Sequence, residues 1–188
     1  MERKKWLIVL LSMLMTASLA CNLNLGGPEP PASPIPVSTE EVEKLEQSLE
    51  QAYTEGVAGS DVTIEITEAQ MTSMAAFELQ GQESMDIRDP QVFLRDGQIQ
   101  FFATVAQPNW EAVLKLVLAL DVDTAGNPEL SFGSAKIGPL DVPDSILEDI
   151  ELYVDRAFAS QIDQRSSDIH IESITIEDGV MTIKGQKE

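Results

Sequence analysis

Two segments of this chain each alternate apolar and polar residues into Asp-Gly and back out again. They are VFLRDGQIQFFA, from Val92 to Ala103, and ITIEDGVMTIKG, from Ile174 to Gly185. Asp-Gly between alternating runs predicts a two-residue hairpin, because both central residues of that turn need a positive φ. Each hairpin carries an apolar face that must be buried against another layer. A chain with two such ribbons is committed to antiparallel sheet with something packed on it.

The residues between the ribbons extend this reading. AVLKLVLALDV, from Ala112 to Val122, places Leu114, Leu116, Leu118, Leu120 and Val122 on one face. Leucine favours helix, but the strict alternation and the turn residues at Thr124–Pro128 predict a strand. Leu130 and Phe132 begin another strand that leads towards Gly138 and Pro139, and Pro90 marks the start of a strand or a bulge in one. Ser38 with Glu41 and Thr67 with Gln70 read as capping boxes. The first helix then runs from about Thr39 to Glu55 with Val42, Leu45, Leu49, Ala52 and Tyr53 at helical spacing. The second continues to about Leu79 with Met71, Met74, Ala75 and Leu79 on one side. Val62, Ile64 and Ile66 alternate as a short strand between them. Pro143 suits the first position of a long helix, with Ile146, Leu147, Ile150, Val154, Ala157, Phe158 and Ile162 along one stripe. The order is helix, strand, helix, four strands, long helix, two strands. It predicts an α+β fold, an antiparallel sheet with helices packed on one face.

The N-terminus predicts where the chain resides. Arg3, Lys4 and Lys5 precede the uncharged run Leu7–Leu19, which exits through Ala17-Ser18-Leu19-Ala20-Cys21. That is a secretory signal over residues 1–20, and it falls short of the roughly 20 apolar residues of a membrane-spanning helix. Ser18 and Ala20 satisfy an ordinary signal peptidase. The stretch also resembles a bacterial lipobox, with Leu19 at −2 instead of −3, in which Cys21 is acylated and becomes the first residue. Acylation accounts for a lone cysteine placed at the junction, since exported cysteines otherwise mostly pair. The expected localisation is the extracytoplasmic side of a membrane, held by acyl chains on Cys21; secretion or an uncleaved signal anchor is the alternative. Residues 21–37, with Gly26, Gly27 and five prolines, read as an extended linker, and residues 38–188 as one domain.

Charge excludes one class of partner. The chain carries 12 basic and 32 acidic side chains, a net charge of −20. Loss of the leader leaves nine basic against thirty-one acidic, or −22. Nucleic acid is a polyanion and is excluded as a partner of this surface. Catalytic signatures are missing as well. His170, the single histidine, sits in an alternating strand with Ile169 and Ile171 facing the other way, and one histidine without cysteine partners supports neither a zinc site nor a nucleophile. Asp121-x-Asp123 with Gly126 imitates a calcium loop, but Phe132 stands where the bidentate glutamate belongs. No catalytic residue, metal or cofactor is expected.

Four stretches taken together resemble known families. They are VTIEITEAQMTSMAAFEL (Val62–Leu79), DPQVFLRDGQIQFFATV (Asp89–Val105), VPDSILEDI (Val142–Ile150) and IHIESITIEDGVMTIKG (Ile169–Gly185). In this order they are similar to the YpmS-like and LmeA-like families of exported, membrane-anchored bacterial proteins, related in fold to tubular lipid-binding domains. The resemblance covers roughly residues 61–186. It implies a long helix cradled by a curved antiparallel sheet, with a groove for acyl chains between them, and no catalytic residues. The apolar stripes lead to the same region independently. The faces Ile99–Val105 and Leu114–Val122 and the stripe Ile146–Ile162 must meet, either packed dry or around a lipid-sized gap. A gap would be lined by Ile150, Val154 and Phe158 on the helix and by Ile99, Phe101, Leu116 and Leu118 on the sheet. The expected function is noncatalytic binding of a lipid or other apolar ligand. The alternative is a structural or protein-interaction domain with a fully packed core.

Overall fold

Both Asp-Gly turns adopt the backbone their sequence demands. Asp96 and Gly97 have φ of 54° and 73°, and Asp178 and Gly179 have φ of 50° and 82°, the positive pair that matches the twist of the flanking strands. The computed structural model describes residues 23–31, 33–54, 57–80, 86–142 and 169–188. Its elements are β1 (Leu23–Asn24), α1 (Thr39–Thr54), β2 (Asp61–Thr67), α2 (Glu68–Leu79), β3 (Asp86–Arg95), β4 (Gln98–Gln107), β5 (Trp110–Val122), β6 (Pro128–Ile137), β7 (Leu140–Asp141), β8 (Ile169–Glu177) and β9 (Val180–Lys187).

The fold is α+β, and its strands form two sheets where the sequence predicts one. The larger runs β3-β4-β5-β6-β7 with β1 added beside β5, and the smaller runs β2-β9-β8. Apart from the short parallel pairing of β1 with β5, the ladders are antiparallel. A hairpin signal fixes only its own two strands. It does not say that β9 will take β2 as its other neighbour, with Ile66 opposite Met181, and so close a separate sheet. The long helix expected from Pro143, with Ile150, Val154 and Phe158, falls outside the described residues. The described C-terminal segment is the β8–β9 hairpin.

Two irregularities follow from the sequence. In β3 the register shifts between Arg88 and Gln91, where Asp89 has φ 49° and Pro90 follows. Pro90 is therefore in a bulge, on an edge strand that needs no N–H from it. In β8 the shift lies between Ile171 and Ser173, leaving Glu172 as the extra residue. That bulge reconciles Ile169 and Ile171 with Ile174 and Ile176, whose parities differ.

The core sits between the two sheets and α1. Leu45 of α1, Val62, Ile64 and Ile66 of β2, Val92 and Leu94 of β3, Ile99 of β4, Ile169 and Ile176 of β8 and Met181 of β9 form one buried cluster. Leu49, Ala52 and Tyr53 extend the α1 contribution along its expected stripe.

Helix α2 departs from its expected pattern. Met71 and Ala75 do pack on the core, but Met74 is exposed, and the buried positions include Gln70, Thr72 and Ser73. For Thr72 the reason is that α2 covers the open edge of β3, whose backbone would otherwise lack partners. The Thr72 hydroxyl accepts from the Val92 N–H at 2.9 Å and donates to the Val92 carbonyl at 3.3 Å. Glu68 Oε1 accepts from the Leu94 N–H at 2.7 Å. Side chains thus stand in for a missing strand. The Thr67 cap forms as predicted, with Gln70 N–H donating to Thr67 Oγ1 and Thr67 N–H to Gln70 Oε1. The Ser38 box does not close on Glu41: Ser38 Oγ accepts from the Glu40 N–H, while its own N–H donates to Ser73 Oγ at 3.0 Å. A tertiary acceptor has taken the donor that Glu41 would have used.

Replacing Thr72 by valine keeps its shape and removes both bonds to Val92. Leaving a buried backbone donor and acceptor unpaired should cost about 2 kcal/mol. Urea unfolding of the two proteins measures it directly, and a valine variant as stable as wild type would mean that the β3 edge is covered some other way.

Candidate ligand-binding face

The four sheet residues expected to line a groove come together as two neighbouring cross-strand pairs. Ile99 is opposite Leu118 and Phe101 opposite Leu116. Continuing outward, Leu118 faces Phe132, Leu116 faces Ala135 and Leu114 faces Ile137, so one apolar face runs unbroken across β4, β5 and β6. The described core closes only part of it. Ile99, 6% exposed, is inside the buried cluster, with Phe101, Leu118 and Leu120 half-buried against it. Leu114, Leu116 and Phe132 are half-buried and stand outside that cluster. Cys21 and the helix residues Ile150, Val154 and Phe158 lie outside the described residues.

The opposite face of the same sheet holds what the sequence reading missed. Phe93 and Phe102 are both buried, with ring centroids 5.8 Å apart and planes at 81°, and the Lys115 ammonium lies 5.2 Å from the Phe102 centroid. Edge-to-face rings with a cation over one of them are a favourable arrangement. The signal available was the doublet Phe101-Phe102, which puts one ring on each side of β4 and marks a strand apolar on both faces.

Gln91, two residues before Phe93, anchors the proline segment. Its Oε1 accepts from the Ile35 N–H at 2.6 Å and its Nε2 donates to the Ile35 carbonyl at 3.1 Å. Nearer the N-terminus, Leu25 N–H donates to the Glu111 carbonyl and Val113 N–H to the Gly26 carbonyl. The segment is bonded to the large sheet at both ends.

Other surface features lie away from the four sheet residues. A hollow of about 790 Å³ lies between α1 and β2, lined by residues such as Ser48, Gln51, Thr63 and Glu65. Smaller ones of about 340 and 310 Å³ lie beside the proline segment and beside the start of β3. None of the three is lined by Ile99, Phe101, Leu116 or Leu118. The exposed ring of His170 rests on Gly126, where a Cβ would fall 2.3 Å from Nδ1. The Asp123 carboxylate accepts from the Asn127 side chain at 3.0 Å and from the Asn127 and Ala125 N–H groups at 2.8 Å each. The Asn127 side-chain bond is the main cause holding that carboxyl below its usual range. The sequence that imitates a calcium loop is thus a turn closed on itself. Among the described residues no three His, Cys, Asp or Glu side chains converge as a metal site, and no helix is long and apolar enough to cross a membrane. Set against protein-family models, curated proteins and solved structures, the chain matches none of them.

Proposed function

We propose that the chain is an exported bacterial lipoprotein, noncatalytic, held outside a membrane by acyl chains on Cys21. In this reading it binds a lipid or another apolar ligand on the apolar face of the large sheet, under the helix expected from Pro143. The supporting observation is that Leu114, Leu116 and Phe132 continue the apolar face beyond the described core and are only half-buried. Binding sites for apolar ligands are built from such converging aliphatic faces. The resemblance to the YpmS-like and LmeA-like families points the same way. A second reading is a structural or protein-interaction domain, and the observation on its side is the dense burial of Ile99 and Leu94 at the other end of that face.

Native mass spectrometry of the Cys21→Ala chain, purified from a bacterial host, separates the two. This variant keeps β1 and the proline segment on the domain. A copurifying lipid mass, displaced by a fluorescent fatty acid, is the expected result. Leu116→Gln should then take up much less fatty acid while melting close to the parent. A clean apo mass with no uptake, together with a large loss of stability in Leu116→Gln, would establish the packed-core reading instead, because a polar side chain in a dry core costs stability.

A further inference from the structure

We infer that one end of the large sheet is a membrane-seating lip, formed by the β6–β7 turn and Leu25, that rests on the bilayer surface beside the anchor. This rests on the proposed acylation of Cys21. The turns of this protein differ in chemistry. Two are Asp-Gly and a third is the capped Asp123–Asn127 turn, all polar as surface turns ordinarily are. The β6–β7 turn is Ile137-Gly138-Pro139-Leu140. Leu140 is 69% exposed, Ile137 36%, and Leu25 beside them 39%. Gly138 gathers them: its N–H donates to the Val113 carbonyl at 2.8 Å, and a Cβ on it would lie 3.3 Å from the Leu25 Cβ. Single exposed leucines need no explanation, but three aliphatic side chains around one turn tip form a patch.

The position of the chain supplies the occupant. Leu23 pairs with Trp110 and Asn24 with Glu111, only two and three residues after Cys21. Two peptide steps reach no more than about 7 Å. An acylated Cys21 therefore brings the start of β5, and with it the β6–β7 turn bonded to Val113, down to the lipid headgroups. The proline segment comes after β1 and is tied back to Gln91, so it puts no distance between anchor and domain. At this end Asp141 is paired with Lys136 at 3.1 Å and Asp86 with Arg88, while Glu111 accepts from the Asn24 side-chain amide at 2.8 Å. The contact is apolar, side chains set into the boundary between headgroups and acyl chains, and a lipid surface is the chemistry that fits it.

The test uses the full acylated chain in phosphatidylcholine vesicles that contain a lipid with a nitroxide at headgroup level. Acylation occupies the Cys21 sulfur, so a thiol introduced by Leu140→Cys is the single site for an environment-sensitive fluorophore. Glu129→Cys, exposed at the far end of β6 and roughly 25 Å away along the strand, is the reference. The proposal expects a blue shift and loss of emission by quenching at position 140, with neither at 129. Equal, water-like emission from both positions on a chain whose acyl mass is confirmed would overturn the lip and leave the anchor standing. Absence of an acyl mass on Cys21, with the thiol free to label, would overturn the anchor and the lip together.

Discussion

Leu94→Ala should destabilise the protein by about 3–5 kcal/mol, the upper part of the range for a buried leucine. The side chain is 0% exposed and lies in the cluster shared by both sheets and α1. The size of such a loss depends on whether the surroundings can collapse into the space left behind, and here they are held from several sides. The Leu94 N–H donates to Glu68, its carbonyl accepts from the Gly179 N–H at 3.2 Å and from Arg95 at 3.0 Å, and Ile99 is paired opposite. Glu68 is itself bound by Arg95. The backbone at Leu94 is thus tied to α2 and to the β8–β9 turn at once, and a cavity there persists. Thermal unfolding should fall by roughly 10 °C or more. Leu140→Ala, on an exposed turn, should stay within about 0.5 kcal/mol of wild type. Near-equal losses in the two variants would mean that the junction at Leu94 is not where the two sheets are held together.

The hairpins, the Thr67 cap and strand β5 were legible in the sequence because each is decided within a few residues. Asp-Gly sets its own turn, Thr67 and Gln70 bond each other, and the alternation of Leu114 to Val122 outweighs the helix preference of leucine. The bulge at Glu172 was missed, although the change of parity between Ile171 and Ile174 carries its signal. What escaped is everything decided by distant partners. Hydrophobic spacing marked the methionine side of α2 as buried, but β3 needed hydrogen-bonding groups at its edge, and Thr72 and Glu68 meet it. The Ser38 N–H likewise found a distant acceptor, Ser73 Oγ, in place of Glu41.

The candidate site divides along similar lines. Alternation alone puts Ile99, Phe101, Leu116 and Leu118 on one face, and they are neighbours on it. Period-two patterning cannot say which part of a long apolar face receives the second sheet, so the deep burial of Ile99 and the half-burial of Leu116 look the same in sequence. Nor does composition reveal that a proline-rich stretch will find a glutamine side chain able to bond both its N–H and its carbonyl. The Gln91 bonds to Ile35 depend on the fold already being formed.

Gly185→Ala is the single methyl addition with the largest expected effect, a loss of about 3 kcal/mol through overpacking. Gly185 lies in β9, the central strand of the small sheet, with Val62 opposite on one side and Ile171 on the other. Its backbone is not in the left-handed region, so an alanine meets no conformational objection there. The obstacle is space. A Cβ at this position would sit 2.4 Å from the His170 carbonyl oxygen and 3.1 Å from Ile169 Cγ2. The carbonyl belongs to the backbone of β8, next to the bulge at Glu172, and cannot rotate aside as a side chain would. Relief requires β8 to move off β9 at its Ile169–Ile171 end, opening the core where Ile169 is buried. Hydrogen exchange should therefore quicken first at Ile169 to Ile171 and their partners in β9, while the β4–β5 ladder keeps its protection. An alanine variant with unchanged melting and unchanged exchange in β8 would show that β8 does not press on Gly185, and the tight bulge would have to be withdrawn.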